Sequence, residues 1–118
     1  MNDLERKAFE AAVYDIVRLI PAGRATSYGA IAKAIGYPSH SRMVGAVMAR
    51  CNSDKHSIPA HRVVNSQGIL SWRCALYCSG KMQALLEAEG VKVENDRIKD
   101  WDTVFWNPID EIVIDHSC

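Results

Sequence analysis

The sequence predicts a mainly α domain, a winged helix-turn-helix with a small β-hairpin. Three observations predict it. Two short helical stretches flank a Gly-containing turn, "GYPS", at residues 36–39. The run "RVVNSQGIL" at 62–70 follows them, with paired valines and a Gly-ended turn. A longer amphipathic stretch precedes them at 4–20. The length of 118 residues fits a single domain, taken here as 1–118.

The elements come in this order. Leu4, Phe9, Val13, Ile16, Val17 and Ile20 recur at helical spacing and predict one apolar face. Pro21-Ala22-Gly23 ends that helix. Thr26 or Ser27 can cap a short helix through Ile35, with Gly36 as its stop. Ser39 or Ser41 can cap the next helix, "SRMVGAVMARC". Gly45 inside that helix costs about 1 kcal/mol relative to alanine. Close approach of another backbone, from a neighbouring helix or from DNA, can offset this. Val63-Val64, a turn ending at Gly68, and Ile69-Leu70 read as the hairpin. "KMQALLEAE" at 81–89 reads as a further helix stopped by Gly90. Trp101, Phe105 and Trp106 read as core or docking residues.

At 48% hydrophobic and 24% charged, the chain has the composition of a globular protein and not of a disordered one. No apolar run approaches the roughly 20 residues of a membrane span. The start, "MNDLERK", lacks the apolar stretch of a signal peptide. A cytoplasmic protein with reduced Cys51, Cys74, Cys78 and Cys118 is the expectation. The net charge of zero hides an asymmetry. Residues 18–81 hold nine basic residues against Asp54 alone, a net charge of +8. The two ends carry −2 and −6. A basic middle between acidic ends suits one polyanion-facing surface.

Candidate chemistry is sparse. Cys51, His56, His61, Cys74 and Cys78 are metal-ligand types, yet no C-x2-C or H-x3-H pair exists. No metal and no cofactor is expected. A Cys-His or Ser-His pair needs a nucleophile within reach of its base. The residue before His61 is Ala60, whose methyl neither attacks nor donates nor accepts.

Four motifs nevertheless stand in order across residues 9–92. They are "TSYGAIAKAIG", "SRMVGAVM", Pro59-Ala60-His61-Arg62-Val63-Val64, and "LLEAEGV". Together they resemble the DNA-binding domain of the O6-alkylguanine-DNA alkyltransferases, whose signature is Pro-Cys-His-Arg followed by two apolar residues. Two departures point to the alkyltransferase-like branch. Ala60 stands where the acceptor cysteine is expected, and Ser71-Trp72-Arg73 replaces a glycine-rich loop. That branch binds O6-alkylguanine in DNA without accepting the alkyl group and passes the lesion to nucleotide excision repair. The chain is also expected to lack the enzymes' separate N-terminal domain.

The resemblance implies a role for each matching position. Tyr28 presses on the backbone at the target nucleotide and helps rotate it out. Arg42 fills the stack where the base had been. Ser27 and Gly29 touch phosphates. Gly45 and Ala46 let their helix sit deep in the minor groove. The carbonyls of Ala60 and Val63 accept from the guanine amine. Arg73, on the Ser71-Trp72-Arg73 loop, lies over the flipped base. His61 and Glu89 keep a polar relay as structural support. Asn52 corresponds to a turn asparagine, one residue further from Arg42 than the family pattern. Cys74 stands where transferring relatives carry a serine. A nucleophile there needs its thiolate beside a base and in line with the alkyl carbon.

The expected partners are double-stranded DNA containing O6-alkylguanine and proteins of nucleotide excision repair, with no membrane. The protein is then nucleoid-associated when bound. Two other readings stand beside it. One is an alkyltransferase whose cysteine has been replaced. The other is a helix-turn-helix transcription regulator, whose recognition helix ordinarily carries several Asn, Gln or Arg base readers. Here that helix offers Arg42 and Arg50 only.

Overall fold

A computed structural model describes residues 2–49, 58–70 and 81–113 of the chain. Asn52, Ser71, Trp72, Arg73, Cys74 and the other three cysteines lie outside the described residues. The first element is helix α1, Asp3–Leu19. Asn2 caps it, its side chain accepting the Glu5 N–H at 2.8 Å. Phe9, Val13, Ile16, Val17 and Ile20 are buried as expected. Leu4 is not, at 79% exposed. It precedes Phe9 by five residues, which turns it about 140° away from that face.

A turn with Gly23 at φ +84° leads into strand β1, Thr26–Ser27, and helix α2, Tyr28–Ile35. Ser27 is the cap: its hydroxyl accepts the Ala30 N–H at 3.1 Å. Gly36 ends α2 at φ +102°. Its N–H donates to Lys33 at 3.1 Å and the Tyr37 N–H reaches back to Ala32 at 2.9 Å. That double closure needs the left-handed backbone a glycine supplies.

Helix α3, Ser41–Ala49, comes next. Neither serine takes the cap position expected of it. Ser41 is the first helical residue, and the His40 carbonyl accepts the Met43 and Val44 N–H groups. The Ser39 hydroxyl sits 3.2 Å from His40 Nδ1 instead. Val44, Val47 and Met48 pack α3 against α1 and α2.

The hairpin at 62–70 forms differently from the expectation. A short 3-10 turn, Ala60–Arg62, leads into β2, Val63–Val64. β2 pairs in parallel with β1, Thr26 opposite Val63. Both valines are buried, at 1% and 0% exposed. Consecutive buried residues suit a parallel strand covered on both faces and not an alternating hairpin arm. The turn itself is present. Asn65 Oδ1 accepts the Gln67 and Ile69 N–H groups, each at 2.9 Å. Ile69 then bridges to Arg97.

Helix α4 is Lys81–Ala88, followed by Gly90 at φ +91°. The antiparallel hairpin of the fold lies beyond it: β3, Val93–Glu94, and β4, Arg97–Ile98. Its turn residues Asn95 and Asp96 lie at φ +54° and +61°. Both have the positive φ of a type I′ turn, which Asn and Asp tolerate. Two short helices close the chain, α5, Trp101–Val104, and α6, Pro108–Val113. Trp106 is buried in the core.

Gly36 and Gly29 should respond oppositely to alanine. Gly36→Ala forces a Cβ into left-handed backbone and should cost about 1 kcal/mol of unfolding free energy. At Gly29 an added Cβ meets nothing within 4 Å and φ is ordinary. Gly29→Ala should therefore be neutral or stabilise by about 0.5 kcal/mol. Urea denaturation of both variants checks the pair.

Candidate nucleic-acid interface

The start of α2 and the start of α3 face a common groove. Tyr28, Gly29, Ser41, Arg42, Gly45, Asn65 and Ser66 line about 360 Å³ of open space. Ser27 puts Tyr28 and Gly29 at the rim because its cap starts α2 there. Arg42 and Gly45 share a face of α3, three residues apart. Gly45 adds no side chain, so the groove runs down to the helix backbone. Arg42 is exposed and bonds to none of the described residues.

The sequence-derived site residues thus divide into two sets. Tyr28, Gly29, Arg42 and Gly45 meet at the groove. Ser27 lines an adjoining groove, with its hydroxyl taken by the cap. Ala46 is exposed on α3 but is not among the lining residues. Ala60 and Val63 are buried, at 3% and 1% exposed, and do not line the groove. The Val63 N–H donates to the Ala60 carbonyl. Sequence reasoning missed Asn65 and Ser66 as groove residues. An Asn two residues before a Gln-Gly turn was the available signal.

A knot of charge lies outside the groove lining. Glu89 follows α4 and presents its carboxylate to three partners. His61 Nε2 is 2.7 Å from Oε2. Arg62 donates from Nε to Oε1 at 3.0 Å and from Nη2 to Oε2 at 2.6 Å. The Gly23 N–H donates to Oε1 at 3.1 Å. Arg62 Nη1 also reaches the Ile20 carbonyl at 2.8 Å. Burial pushes the Glu89 carboxyl up, but the hydrogen bonds from Arg62, His61 and Gly23 outweigh it and hold the pKa at about 2. Burial lowers the His61 pKa, against the raising effect of Glu89. At neutral pH Glu89 is ionised and His61 neutral. A carboxylate only accepts, so His61 carries its proton on Nε2.

The basic stretch is partly used inside the fold. Arg62 belongs to the knot. Arg24 donates to the carbonyls of Val104 at 2.9 Å and Phe105 at 2.6 Å. Arg18 pairs with Asp15 at 3.0 Å. The +8 of the sequence therefore overstates the charge open to a partner. Lys33 and Arg42 are exposed and bond to none of the described residues.

Comparison with known proteins supplies the family. Residues 8–91 match the model of the 6-O-methylguanine DNA methyltransferase DNA-binding domain. The chain belongs to this family. It is 40% identical over 85 residues to alkyltransferase-like protein 1 of Schizosaccharomyces pombe, covering 72% of this chain and 78% of that one. It is 39% identical over 100 residues to the DNA base-flipping protein of Escherichia coli, covering 85% and 75%. The crystal structure of S. pombe Atl1 in complex with damaged DNA containing O6-carboxymethylguanine matches with a TM-score of 0.75. That match has 35% identity and covers 85% of this chain and 95% of the other. The O6-methylguanine methyltransferase of Mycobacterium tuberculosis matches with a TM-score of 0.55 and 30% identity, covering 75% and 52%.

The knot sets an acid limit on stability. Glu89 contributes fully above its ordinary pKa of 4.5, and that contribution is lost as pH falls from 4.5 to about 2. The shift corresponds to about 3 kcal/mol. His61, with its pKa lowered from 6.5, contributes fully above 6.5 and loses it as pH falls from there. Glu89→Gln should cost about 3–5 kcal/mol at pH 7, because Arg62 keeps its charge without a counter-charge. It should also flatten the stability profile between pH 4.5 and 2. Urea unfolding across pH, for wild type and variant, tests both effects.

Proposed function

We propose that this protein binds double-stranded DNA containing O6-alkylguanine, rotates the modified nucleotide out of the stack, and transfers no alkyl group. The observation that carries this is the meeting of Tyr28, Gly29, Arg42 and Gly45 along one groove in a chain of this family. Arg42 is long, exposed and cationic, as a filler of the vacated stack must be. Gly45 lets a backbone approach α3 closely. Rotating a base out costs a few kcal/mol, less for a mispairing lesion, so the filler has a cost to offset.

Ala60 supports the absence of transfer. It stands in Pro59-Ala60-His61-Arg62, at the acceptor position of the resemblance, and a methyl group accepts no alkyl cation equivalent. The relatives named alkyltransferase-like and base-flipping agree with this assignment. Ser27, Ala46, the carbonyls of Ala60 and Val63, and Arg73 on the Ser71-Trp72 loop complete the proposed contacts. Asn52 is the proposed turn residue. The bound lesion is then handed to nucleotide excision repair in the cytoplasm, on the nucleoid.

Matched duplexes carrying guanine or O6-methylguanine test the proposal, with intact-mass measurement of the protein afterwards. The lesion duplex should bind tighter by about tenfold or more, roughly 1.4 kcal/mol. Its affinity should fall steeply with salt. The protein mass should not rise by the roughly 14 Da of one transferred CH2. Arg42→Ala should lower lesion affinity by about tenfold to a hundredfold, since nothing then offsets the few kcal/mol of base rotation. Equal binding of the two duplexes sinks lesion recognition. An adduct, on Cys74 or elsewhere, makes the protein a transferase.

A further inference from the structure

The far wall of the groove is the turn Asn65–Gly68, and part of its support comes from beyond residue 91. Trp101 opens α5. Its indole N–H donates to the Ser66 carbonyl at 3.2 Å. Its ring lies so close to Gly68 that a Cβ there would stand 3.0 Å from Trp101 Cδ2. Phe105 backs the ring, with centroids 5.3 Å apart. The backbone adds two bonds: the Ile98 N–H to the Gly68 carbonyl at 2.9 Å, and the Leu70 N–H to the Asp96 carbonyl at 2.8 Å.

The other end of this segment grips the opposite wall. Arg24 holds the carbonyls of Val104 and Phe105. The Ala25 N–H donates to Val104 at 3.2 Å, and the Trp106 N–H donates to Ala25 at 2.7 Å. Ala25 leads straight into β1 and then into Tyr28 and Gly29. Residues 97–106 therefore form a strut between the two walls. A second groove of about 420 Å³ includes Gly29, Lys33, Ser66, Trp101 and Phe105 in its lining. It continues the first across Gly29 and Ser66, which line both.

We infer that Trp101 is a positioning residue: it holds Ser66 at the separation from Tyr28 and Gly29 at which one backbone of a bound duplex fits between them. This rests on the DNA-binding function proposed above. Backbone contacts set register and carry no sequence or lesion information. A turn held in place beforehand needs no ordering when DNA arrives, which favours binding. Loss of Trp101 thus weakens binding to damaged and undamaged duplexes alike.

Two measurements on wild type, Trp101→Phe and Trp101→Ala test it. Hydrogen exchange of the free protein reads the strut. The Gln67 and Gly68 amides should exchange about tenfold faster in Trp101→Ala, while Val13 and Val17 in α1 stay protected. Duplex titration across salt reads the positioning. Trp101→Ala should lose about tenfold in affinity for both duplexes, keep their ratio within about twofold, and leave the salt slope unchanged, because the turn Asn65–Gly68 carries no cation. Trp101→Phe keeps the ring contact and loses only the N–H bond, and should fall between. A merely structural Trp101 would lower the melting temperature and leave the affinity of the folded protein, measured well below that temperature, unchanged. Unchanged exchange at Gln67 and Gly68 overturns the strut. Faster exchange with wild-type affinity overturns the positioning role. If Trp101→Ala does not fold, Trp101→Phe carries both readings. A wild type without lesion preference overturns the proposed function, and the affinity for undamaged duplex still decides the role of Trp101.

Discussion

The carboxylate of Glu89 is shared by Gly23, His61 and Arg62, and Arg62 reaches on to the Ile20 carbonyl. One acidic group thus joins the end of α1, the turn after it, the 3-10 turn and the end of α4. Such charge-assisted bonds are short and strong where water is scarce. They fix the path of Pro59 to Arg62, and so the line along which Val63 and Val64 meet Thr26 and Ser27. Ser27 in turn starts α2 and places Tyr28 at the groove. The Glu89 carboxylate bonds to none of the described groove residues, yet the spacing of the groove descends from the knot.

The same constraint divides the arginines. Arg24 and Arg62 point inward, where guanidinium forks satisfy carbonyls and a carboxylate that would otherwise be stranded. Arg42 points outward beside Gly45, a residue with no side chain of its own. A polyanion approaching this face meets an exposed charge over close backbone. The glycine that weakens α3 by propensity is itself buried and lines the groove with backbone alone. Local cost and groove lining sit at one position, and candidate sites are where sequence-level rules are expected to be broken.

Much of this was legible in the sequence. The period of Phe9, Val13, Ile16, Val17 and Ile20 predicts α1, and Ser27 and Gly36 bracket α2 as their chemistry requires. Tyr28, Gly29, Arg42 and Gly45 belong to the motifs, and they converge. The expected hairpin is misplaced for a physical reason. Val63-Val64 and Ile69-Leu70 carry strand propensity on both sides of a good turn, but propensity does not name the partner. Tertiary pairing with Thr26–Ser27 and with Arg97 won instead. The true hairpin was hidden in "ENDR", where Asn95 and Asp96 take the place more often given to Asn-Gly. A linear charge sum likewise cannot tell a half-buried arginine bonded to carbonyls from one facing solvent. Trp101 and Phe105 read as core or docking residues, and nothing in their spacing ties them to Ser66, 35 positions earlier.

The knot also shows that the segment around His61 holds its shape with no thiol at the position before it. On the reading that Ala60 stands at the acceptor position, His61 next to it is the natural base. In this structure its Nε2 proton is directed to Glu89, whose remaining capacity goes to Arg62 and Gly23. Burial keeps the imidazole neutral. Those bonds need no thiol to form, and Ala60 itself is buried with its carbonyl accepting the Val63 N–H. Removing a sulfur from the position before His61 would take away a nucleophile and leave every bond of the knot intact. Removing Glu89 would strand a guanidinium and unpin three segments at once. The residues that would serve transfer are therefore held by folding alone, and their presence is no sign that transfer occurs.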